Sequence, residues 1–446
     1  MNDEKYIFLV GLVCINILVT SIGIQCLLDN KRKRKLKYNF KKMMKYILDT
    51  ICSPIAVLIG FVVPKKKNLI LFMGRQQSGF LDNVKYLYLF LYQNNYQDIY
   101  DIVFIGHNDI SRKELDDKGF RTVNFPSVKA YWLLARANLI ITDNAHWTTH
   151  NRYNIALKSK KVQLWHGVGF KKIRLTDEKF VKASHGLKGF VKYKLQGQLA
   201  IYDTFLSTSP FFSKEVFMPS FQPRNIVELG YPRNDILFRD DLFNEEGVKI
   251  NVDVELLEQI KKERLMGKKV VLYAPTFRNA KQYEINSDKL DFQKLSDFGE
   301  KNNIIFIFKL HPLPQYEIEF FRYKNIFEYD NKKEVYPLFK YIDLLITDYS
   351  SIYMDFLLLD RPCLFFLYDY QYYTSHCRGI RDDFLELTPG EKCYTQEELY
   401  DQLYKILVLG SDNWQKERRK IRDLAWKYQD GCACERIWEY IKKCYL

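Results

Sequence analysis

The 446-residue chain lacks the cysteine and histidine spacings of a metal site or of a disulfide framework. Its nine cysteines are odd in number and include no CxxC pair, and His146 and His150 have no carboxylate at a zinc-site interval. The sequence therefore predicts no metal site and no disulfide-stabilised fold, as is usual in a reducing cytosol.

A general surplus of basic residues is also missing. The formal net charge is +14, but nine positive charges without an acid among them fall within residues 31–45, which leaves only +5 for the remainder. A nucleic-acid-binding protein would carry its basic residues on a recognition surface. The composition therefore disfavours nucleic acid as a partner and draws attention to the segment before the basic run.

Residues 6–28 form a stretch of 23 residues without a formal charge. About 20 apolar residues suffice for a transmembrane helix, and the basic run after this stretch predicts that the rest of the chain is cytoplasmic. A cleaved signal peptide is disfavoured because no A-x-A-like site follows. We expect a transmembrane anchor at residues 1–30 and a basic segment apposed to an anionic membrane surface at 31–66. Whether its apolar part, 47–63, enters the interface or packs on the first domain stays open.

The remainder of the chain alternates short apolar stretches with amphipathic ones, which indicates parallel sheets covered by helices on both faces. The predicted strands are residues 68–73, 101–106, 139–142, 162–165, 204–207, 227–229, 270–273, 304–308, 344–347 and 363–366, and helical patterns cover 83–92, 128–136, 256–264 and 397–408. The length favours two domains. We place them at 67–225 and 226–410, followed by C-terminal helices at 411–446.

An internal similarity relates the two halves. ARANLIITDN (135–144) and KYIDLLITDY (340–349) each run from a helix end through a strand to a Thr-Asp turn. Two similar sheets facing a cleft would explain this, and so would chance similarity of apolar strands. In open parallel sheets, ligands bind beyond the carboxyl ends of the strands, which is where these turns lie.

The segment LLITDYSS (344–351) ends a predicted strand at an acid, an aromatic residue and two hydroxyls. Helix N-termini expose unpaired N–H groups and favour anions, so Ser350 and Ser351 are candidates for phosphate binding at a helix start. Simple helix capping is the alternative.

Other strand ends carry side chains suited to catalysis. His166, in WHGVGFKK (165–172), has an imidazole that can accept a hydroxyl proton near neutral pH. His311, in KLHP (309–312), ends a strand in the second half, and Arg278, in YAPTFR (273–278), has the forked donors that suit phosphate. Capped turns and ordinary surface residues are the structural alternatives. GYPRNDIL (230–237) has the residues typical of a turn between a strand and a helix, in which Asn234 or Asp235 caps the helix.

Taken together and in this order, WHGVGFKK, GYPRNDIL, YAPTFR, KLHP and LLITDYSSIYMDF resemble the CDP-glycerol glycerophosphotransferase family of teichoic-acid and capsule polymer synthesis. The resemblance runs from about residue 68 to about residue 430. It implies an α/β, GT-B-like fold, in which two Rossmann-type domains with parallel sheets face a cleft and the donor binds in the second. Two departures are Val168-Gly169, where the family often has Thr-Pro, and Phe277, where tryptophan is common.

The resemblance and the patterns above assign the site residues. The catalytic candidates are His166 and His311, the family's two essential-looking histidines. The donor-phosphate candidates are Thr276, Arg278, Lys309, Asp348, Ser350, Ser351 and Asp355. The acceptor-side candidates are Gly167, Lys171, Lys172, Arg233 and Asp235.

The implied activity is transfer of glycerol phosphate, or another alditol phosphate, from CDP-glycerol to a hydroxyl of a lipid-linked polymer at the cytoplasmic membrane face, with release of CMP. No cofactor is encoded, and Mg²⁺ would be held by the donor diphosphate. A glycosyltransferase using a nucleotide sugar and a non-catalytic membrane scaffold are the alternatives. The sequence indicates neither glycerol over ribitol, nor one transfer over repeated ones, nor an oligomeric state.

Overall fold

The computed structural model describes residues 31–446 except 75–78, 107–108, 170, 277, 279–288, 311–318, 377–380 and 382, and except the side chains of 31–38 and 109–111. The predicted anchor at 1–30, the candidate His311 and the departure at Phe277 therefore lie outside the described residues.

Two parallel sheets form the body of the protein. Their strands are β1 (Lys66–Met73), β2 (Asp101–Gly106), β3 (Thr122–Asn124), β4 (Ala137–Thr142), β5 (Lys160–Gln163), β6 (Thr204–Ser207), β7 (Ile226–Glu228), β8 (Lys269–Tyr273), β9 (Ile304–Phe308), β10 (Ile326–Glu328), β11 (Leu344–Thr347), β12 (Cys363–Phe366) and β13 (Glu391–Cys393). The first sheet has the order β3-β2-β1-β4-β5-β6-β7 and the second the order β10-β9-β8-β11-β12-β13. We call the two units built on them the first lobe and the second lobe.

Helices cover both sheets. The α-helices are Lys31–Val62, Asp82–Gln93, Asp109–Asp117, Val128–Arg136, Arg152–Ile155, Glu178–Ser184, Gly186–Gly189, Pro210–Phe212, Met218–Phe221, Glu245–Lys249, Val254–Leu265, Phe292–Asn302, Tyr336–Phe339, Ile352–Phe356, Tyr370–His376, Gln396–Leu403, Gln415–Ala425 and Ala433–Tyr445. π-Helical turns cover Phe190–Leu195, Ser213–Phe217 and Tyr404–Val408.

The predicted GT-B-like class, two Rossmann-type parallel sheets, is confirmed. The central strands are apolar along their whole length because both of their faces are covered, as in β9, where all five residues are buried. Strand order reverses between β1 and β4 in the first sheet and between β8 and β11 in the second. The similar segments at 135–144 and 340–349 therefore contain topologically equivalent strands, and their Thr-Asp turns follow the switch points where such sheets bind ligands.

Two details of the sequence prediction are corrected by the sheet pairings. β7 pairs with β6, so the first lobe extends beyond residue 225, where we had placed its end. β5 spans Lys160–Gln163, two residues earlier than predicted, and Trp165, the last residue of the predicted strand, lies in the left-handed region at φ 58°, where a strand cannot continue.

The helix Lys31–Val62 includes all but the last residue of the apolar segment 47–63, whose location the sequence left open. One face of this helix packs on the first lobe, with Ser53 Oγ donating to Asn151 Oδ1 at 2.8 Å. A Cβ on Gly60 would lie 2.1 Å from the carbonyl oxygen of Asn154, so only glycine permits this close approach. Its Asn39–Val62 portion is also long and apolar enough to cross a membrane, by length and composition alone.

The last helix, Ala433–Tyr445, returns from the second lobe to the first. Trp438 packs against Tyr96 with ring centroids 5.0 Å apart. The buried carboxylate of Asp235 accepts hydrogen bonds from the first two amides of this helix, those of Ala433 at 2.9 Å and Cys434 at 2.7 Å. Asp235 thus caps a helix about 200 residues further along the chain. This contact fastens the C-terminal helix to the turn that contains Asp235.

We predict that Asp235→Ala lowers the free energy of unfolding by about 1–3 kcal/mol, because two buried N–H groups lose their acceptor. Urea unfolding of the detergent-solubilised protein would measure the loss. Asp241→Ala, at an exposed position six residues further on, is the matched control and should leave the urea midpoint unchanged. Equal midpoints for both variants would contradict the capping role.

Burial raises the pKa of Asp235 to about 6, an effect that the two amides oppose. Because this lies above the ordinary value of 3.8, the folded state holds the proton more tightly than the unfolded chain does. The contribution of this group to stability therefore falls as the pH rises from about 4 to about 6, and Asp235→Asn should remove that dependence.

Candidate active site

A cavity of about 560 Å³ lies between the two lobes, at the carboxyl ends of both sets of strands. Six of the predicted site residues line it, and they come from both halves of the chain: His166, Arg233, Lys309, Ser350, Ser351 and Asp355. The imidazole predicted to accept a proton and the hydroxyls predicted to bind phosphate therefore share one cavity.

His166 lies three residues beyond the end of β5 and is held through both its ring and its backbone. Its Nδ1 is 2.7 Å from the carbonyl oxygen of Asp143. A carbonyl can only accept, so Nδ1 carries the proton in the neutral ring and Nε2 keeps the lone pair. The ring also lies 4.1 Å from that of Trp165, a residue in the left-handed region at φ 58°. The ring is thus oriented and fixed in the tautomer that suits a general base.

Ser350 and Ser351 follow β11 and precede the short helix Ile352–Phe356. The amide of Ile352 donates to Ser350 Oγ at 3.4 Å, so this serine takes part in the turn's own hydrogen bonding. Both serines are half-buried and line the cavity. The turn thus presents two hydroxyls and the amides of a helix start to the space facing His166.

Asp348 and Arg278 stabilise the serine turn from the side away from the cavity lining. Asp348 Oδ1 accepts from the amide of Thr276 at 2.7 Å, and its Oδ2 is 2.8 Å from Arg278 Nη2. Arg278 is 3% exposed and also makes a two-point pair with Asp369, at 2.6 and 3.0 Å. Arg278 thus holds two carboxylates and, through Nη1, the carbonyl oxygen of Thr276 at 2.6 Å. Its direct contact with donor phosphate stays a prediction.

Arg233 connects the lobes at the floor of the cavity. This buried guanidinium pairs with Asp82 in the first lobe at 2.6 Å and with Asp355 in the second at 2.8 Å. It also donates to the carbonyl oxygen of His166 at 2.8 Å. Burial raises the pKa of Asp355, and Arg233 opposes that shift. The position of the His166 backbone therefore depends on a charge cluster that spans both lobes.

The loop after His166 lies directly against the serine turn. A Cβ on Gly167 would be 3.0 Å from Ser351 Oγ, and one on Gly169 would be 3.0 Å from Ser351 Cβ. Further along the loop, Lys171 Nζ donates to Thr276 Oγ1 at 3.3 Å. The absence of a Cβ at Gly167 and Gly169 therefore permits the close contact between this loop and the serine turn.

The remaining predicted residues have varied positions. Lys309 Nζ, at the rim of the cavity, donates to the backbone and side-chain oxygens of Asn331 at 2.9 and 2.8 Å. Lys172 is exposed and lines a second cavity rather than this one. Asp235 lies away from the cavity as a helix cap. The donor-phosphate role of Lys309 and the acceptor-side roles of Lys172, Asp235 and Arg233 stay predictions.

Sequence reasoning missed four acidic or amide residues that support the site. Asp82 pairs with Arg233, and the next residue, Asn83, donates to the carbonyl oxygen of Trp165 at 2.9 Å and accepts from the Arg233 amide. Glu334 accepts from the Asp82 amide, and Asp369 pairs with Arg278. Only Asp82-Asn83 left a signal, as polar residues at the start of the helix after β1.

Within the described ranges, no group of three or more histidine, cysteine, aspartate or glutamate side chains could hold a metal ion. The cavity's cations are Lys309 and Arg233, together with the lysines of segment 331–336. The cavity thus combines hydroxyls, amides and one oriented imidazole with cations and the carboxylates of Asp82, Glu334 and Asp355, two of which pair with Arg233.

Comparison with known proteins yields consistent findings. A family described as CDP-Glycerol:Poly(glycerophosphate) glycerophosphotransferase matches residues 55–443. The teichoic acid poly(glycerol phosphate) polymerase of Bacillus spizizenii is 30% identical over 82% of this chain and 90% of its own length. The teichoic acid ribitol-phosphate polymerase TarL of Staphylococcus aureus is 26% identical over 95% of this chain and 71% of its own length.

Solved structures agree in fold. A structure of a substituted form of the wall teichoic acid polymerase TagF has a TM-score of 0.69 and 25% identity, covering 91% of this chain and 97% of that one. A UDP complex of Staphylococcus aureus MnaA, at 13% identity and a TM-score of 0.51, shares the fold alone.

We predict that Arg233→Met lowers stability by about 3–5 kcal/mol, because it leaves two buried carboxylates without their cation. Urea and thermal unfolding would measure the loss. Adding Asp82→Asn and Asp355→Asn to the same variant should recover much of it.

Arg224→Met serves as the control, because this arginine pairs with Asp203 at an exposed position. It should change stability by less than about 1 kcal/mol. If Arg233→Met also lowered stability by less than about 1 kcal/mol, the charge cluster would not be what holds the lobes together.

Proposed function

Because the chain belongs to the CDP-glycerol:poly(glycerophosphate) glycerophosphotransferase family, we propose that it transfers glycerol phosphate, or another alditol phosphate, from a CDP-activated donor to the terminal hydroxyl of a lipid-linked, teichoic-acid-type polymer, with release of CMP. The chain is an enzyme of the CDP-glycerol glycerophosphotransferase type. The acceptor and the released nucleotide are our proposal.

One observation carries this proposal: His166 of the first lobe and the Ser350-Ser351 turn of the second line the same cavity. The transfer needs a base next to a hydroxyl and an anion site next to a diphosphate. If the first lobe contributes the base and the second lobe the anion site, the cavity between them can bring the two substrates together in a fixed orientation.

The proton transfer follows from the orientation of His166. Its Nε2 would take the proton of the acceptor hydroxyl as that oxygen bonds to the donor phosphorus that carries glycerol. The bond from this phosphorus to the bridging oxygen breaks in the same displacement, and CMP leaves with that oxygen. The Asp143 carbonyl, which accepts from Nδ1, would stabilise the imidazolium that forms.

The donor phosphates would be bound by the second lobe. Ser350, Ser351 and the amides of the following helix start face the cavity, and Lys309 adds positive charge at its rim. In this scheme Arg278 and Asp348 are positioning residues, because they hold the serine turn and the backbone of Thr276 in place. By resemblance, His311 would stabilise charge on the phosphates. Any Mg²⁺ would arrive with the diphosphate.

The helix Lys31–Val62 supports a membrane location. Its inner face packs on the first lobe, while its outer face exposes apolar side chains such as Ile51 (64% exposed), Leu58 and Phe61 (60% exposed). Lys41, Lys42 and Lys45 lie on the same helix. We infer that this helix lies along an anionic membrane surface with its outer face in lipid, next to the single-pass anchor predicted at 1–30 and on the cytoplasmic side.

The reaction is tested by supplying purified protein with CDP-glycerol, CDP-ribitol and UDP-sugars and identifying the released nucleotide. We expect CMP from a CDP-alditol. UDP would indicate a glycosyltransferase instead, and no nucleotide binding at all would indicate a scaffold.

His166→Ala should lower turnover by about 10²- to 10⁴-fold, because the hydroxyl loses its general base. His376→Ala is the matched control, since His376 is exposed and lines neither cavity. Full turnover by His166→Ala with CDP-glycerol would exclude the assigned role.

Membrane apposition is tested with the chain shortened to residues 31–446, in which the predicted anchor cannot mask the helix. Ile51→Glu and Phe61→Glu should each weaken binding to anionic vesicles by at least about tenfold, because a charge replaces an inserted apolar side chain. Vesicle flotation measures the bound fraction. Leu265→Glu changes an apolar residue of the second lobe that is even more exposed, and it should have no effect on vesicle binding. Equal behaviour of all three variants would contradict apposition.

A further inference from the structure

A second cavity, of about 400 Å³, lies on the first-lobe side of His166. The turn Ala145–Thr148, Trp165 and residues of the segment 172–198 form its walls, and no described residue of the second lobe lines it. Among the described residues, His166 is the one shared by the linings of both cavities. A group bound in the second cavity can therefore meet the same imidazole that faces the donor cavity.

The walls of this second cavity are cationic. Lys172, Arg174 and Lys192 line it, against the single carboxylate of Asp177. That carboxylate is engaged as a helix cap, because Asp177 Oδ1 accepts from the amide of Lys179 at 3.0 Å. The balance of charge favours an anionic ligand.

Two of the cations are held in place by a pair of aromatic rings. Phe180 and Tyr193 have ring centroids 5.1 Å apart. The Arg174 guanidinium lies 5.6 Å from the Phe180 ring and the Lys192 ammonium 4.9 Å from the Tyr193 ring. Cations fixed on ring faces lose less freedom when they bind an anion, so this wall is preorganised.

The backbone of this wall is unusual and firmly fastened. Lys192 and Tyr193 belong to the π-helical turn Phe190–Leu195, a conformation often found at functional sites. Asn154 Nδ2 donates to the carbonyl oxygen of Leu195 at 2.8 Å, and the following residue, Gln196, donates to Thr50 Oγ1 in the N-terminal helix at 2.8 Å. The cavity wall is thereby tied to the helix that we infer lies on the membrane.

We propose that this second cavity is the acceptor site, and that Arg174 and Lys192 bind the phosphodiester next to the acceptor's terminal hydroxyl. The ligand class is a phosphodiester-linked polyol whose last hydroxyl reaches His166 while its nearest phosphate rests on the two cations. The proposal deepens the proposed function and rests on it, since it names what that site recognises and through which residues.

The test compares two soluble acceptors with the full-length protein in detergent and CDP-glycerol as donor. One is a glycerol phosphate oligomer and the other is diglycerol, which offers hydroxyls without a phosphodiester. Arg174→Gln and Lys192→Gln should each raise the KM for the oligomer by about 10- to 100-fold, as expected for loss of a charge-assisted hydrogen bond. The KM for CDP-glycerol and the turnover of diglycerol should stay within about twofold, since neither needs these cations.

Lys194→Gln is the matched control, because Lys194 lies in the same π-helical turn but is exposed and outside the cavity lining. It should leave the KM for the oligomer unchanged, and Lys192→Arg should restore most of the affinity lost in Lys192→Gln. Thermal unfolding of each variant shows whether the fold is retained. An unchanged KM for the oligomer in both glutamine variants overturns the assignment, even while CMP release from CDP-glycerol upholds the proposed function.

Direct binding separates the two claims. Calorimetric titration of the oligomer without donor should show affinity in the wild type and loss of it in the glutamine variants. That result would support the site even if no CDP-alditol were turned over, and equal affinity in all variants would refute it.

Discussion

The arrangement of the active site depends on one buried guanidinium. Arg233 is paired at the same time with a carboxylate of each lobe and hydrogen-bonded to the backbone of His166. Two buried acids around one base are tolerable only while all three stay in contact, because each unpaired charge would carry its full desolvation cost. A shift of one lobe against the other would break this cluster. The distance from the imidazole to the serine turn is therefore set by electrostatics at the interface rather than by either sheet alone.

The central architecture could be predicted because its physical signal is local. Strands such as β9 and β11 are uninterrupted apolar runs that end at polar residues, and both were predicted with their observed bounds. Three edge strands, β3, β10 and β13, escaped prediction because each has only three residues and is buried on part of its length. Runs that short do not stand out from loop sequence.

The partners of the site residues could not be predicted, because their signal is not local. Arginine suits phosphate and carboxylate equally well, and the sequence suggested phosphate for Arg278. Its carboxylate partner Asp369 lies 91 residues away, and Asp355 lies 122 residues from Arg233. The local sequence around Asp235 likewise predicts only a turn. In the folded protein, however, Asp235 caps a helix that is distant in sequence and is brought near by the tertiary structure. The sequence therefore identifies which side chains are suited to a site, whereas the role of each one depends on the residues that contact it in the folded protein.

The two lobes put one scaffold to different uses. After the fourth strand of each sheet, an aspartate accepts a backbone N–H from the segment following the first strand: Asp143 from Val84 at 3.2 Å, and Asp348 from Thr276 at 2.7 Å. In the first lobe the same aspartate offers its carbonyl to His166, and in the second the chain continues into two serines. The contact of Gly167 and Gly169 with Ser351 brings these two specialised turns together. Because neither glycine carries a Cβ, the loop approaches Ser351 more closely than larger residues would allow, and a side chain at either position would push the two turns apart and widen the gap between the imidazole and the hydroxyls.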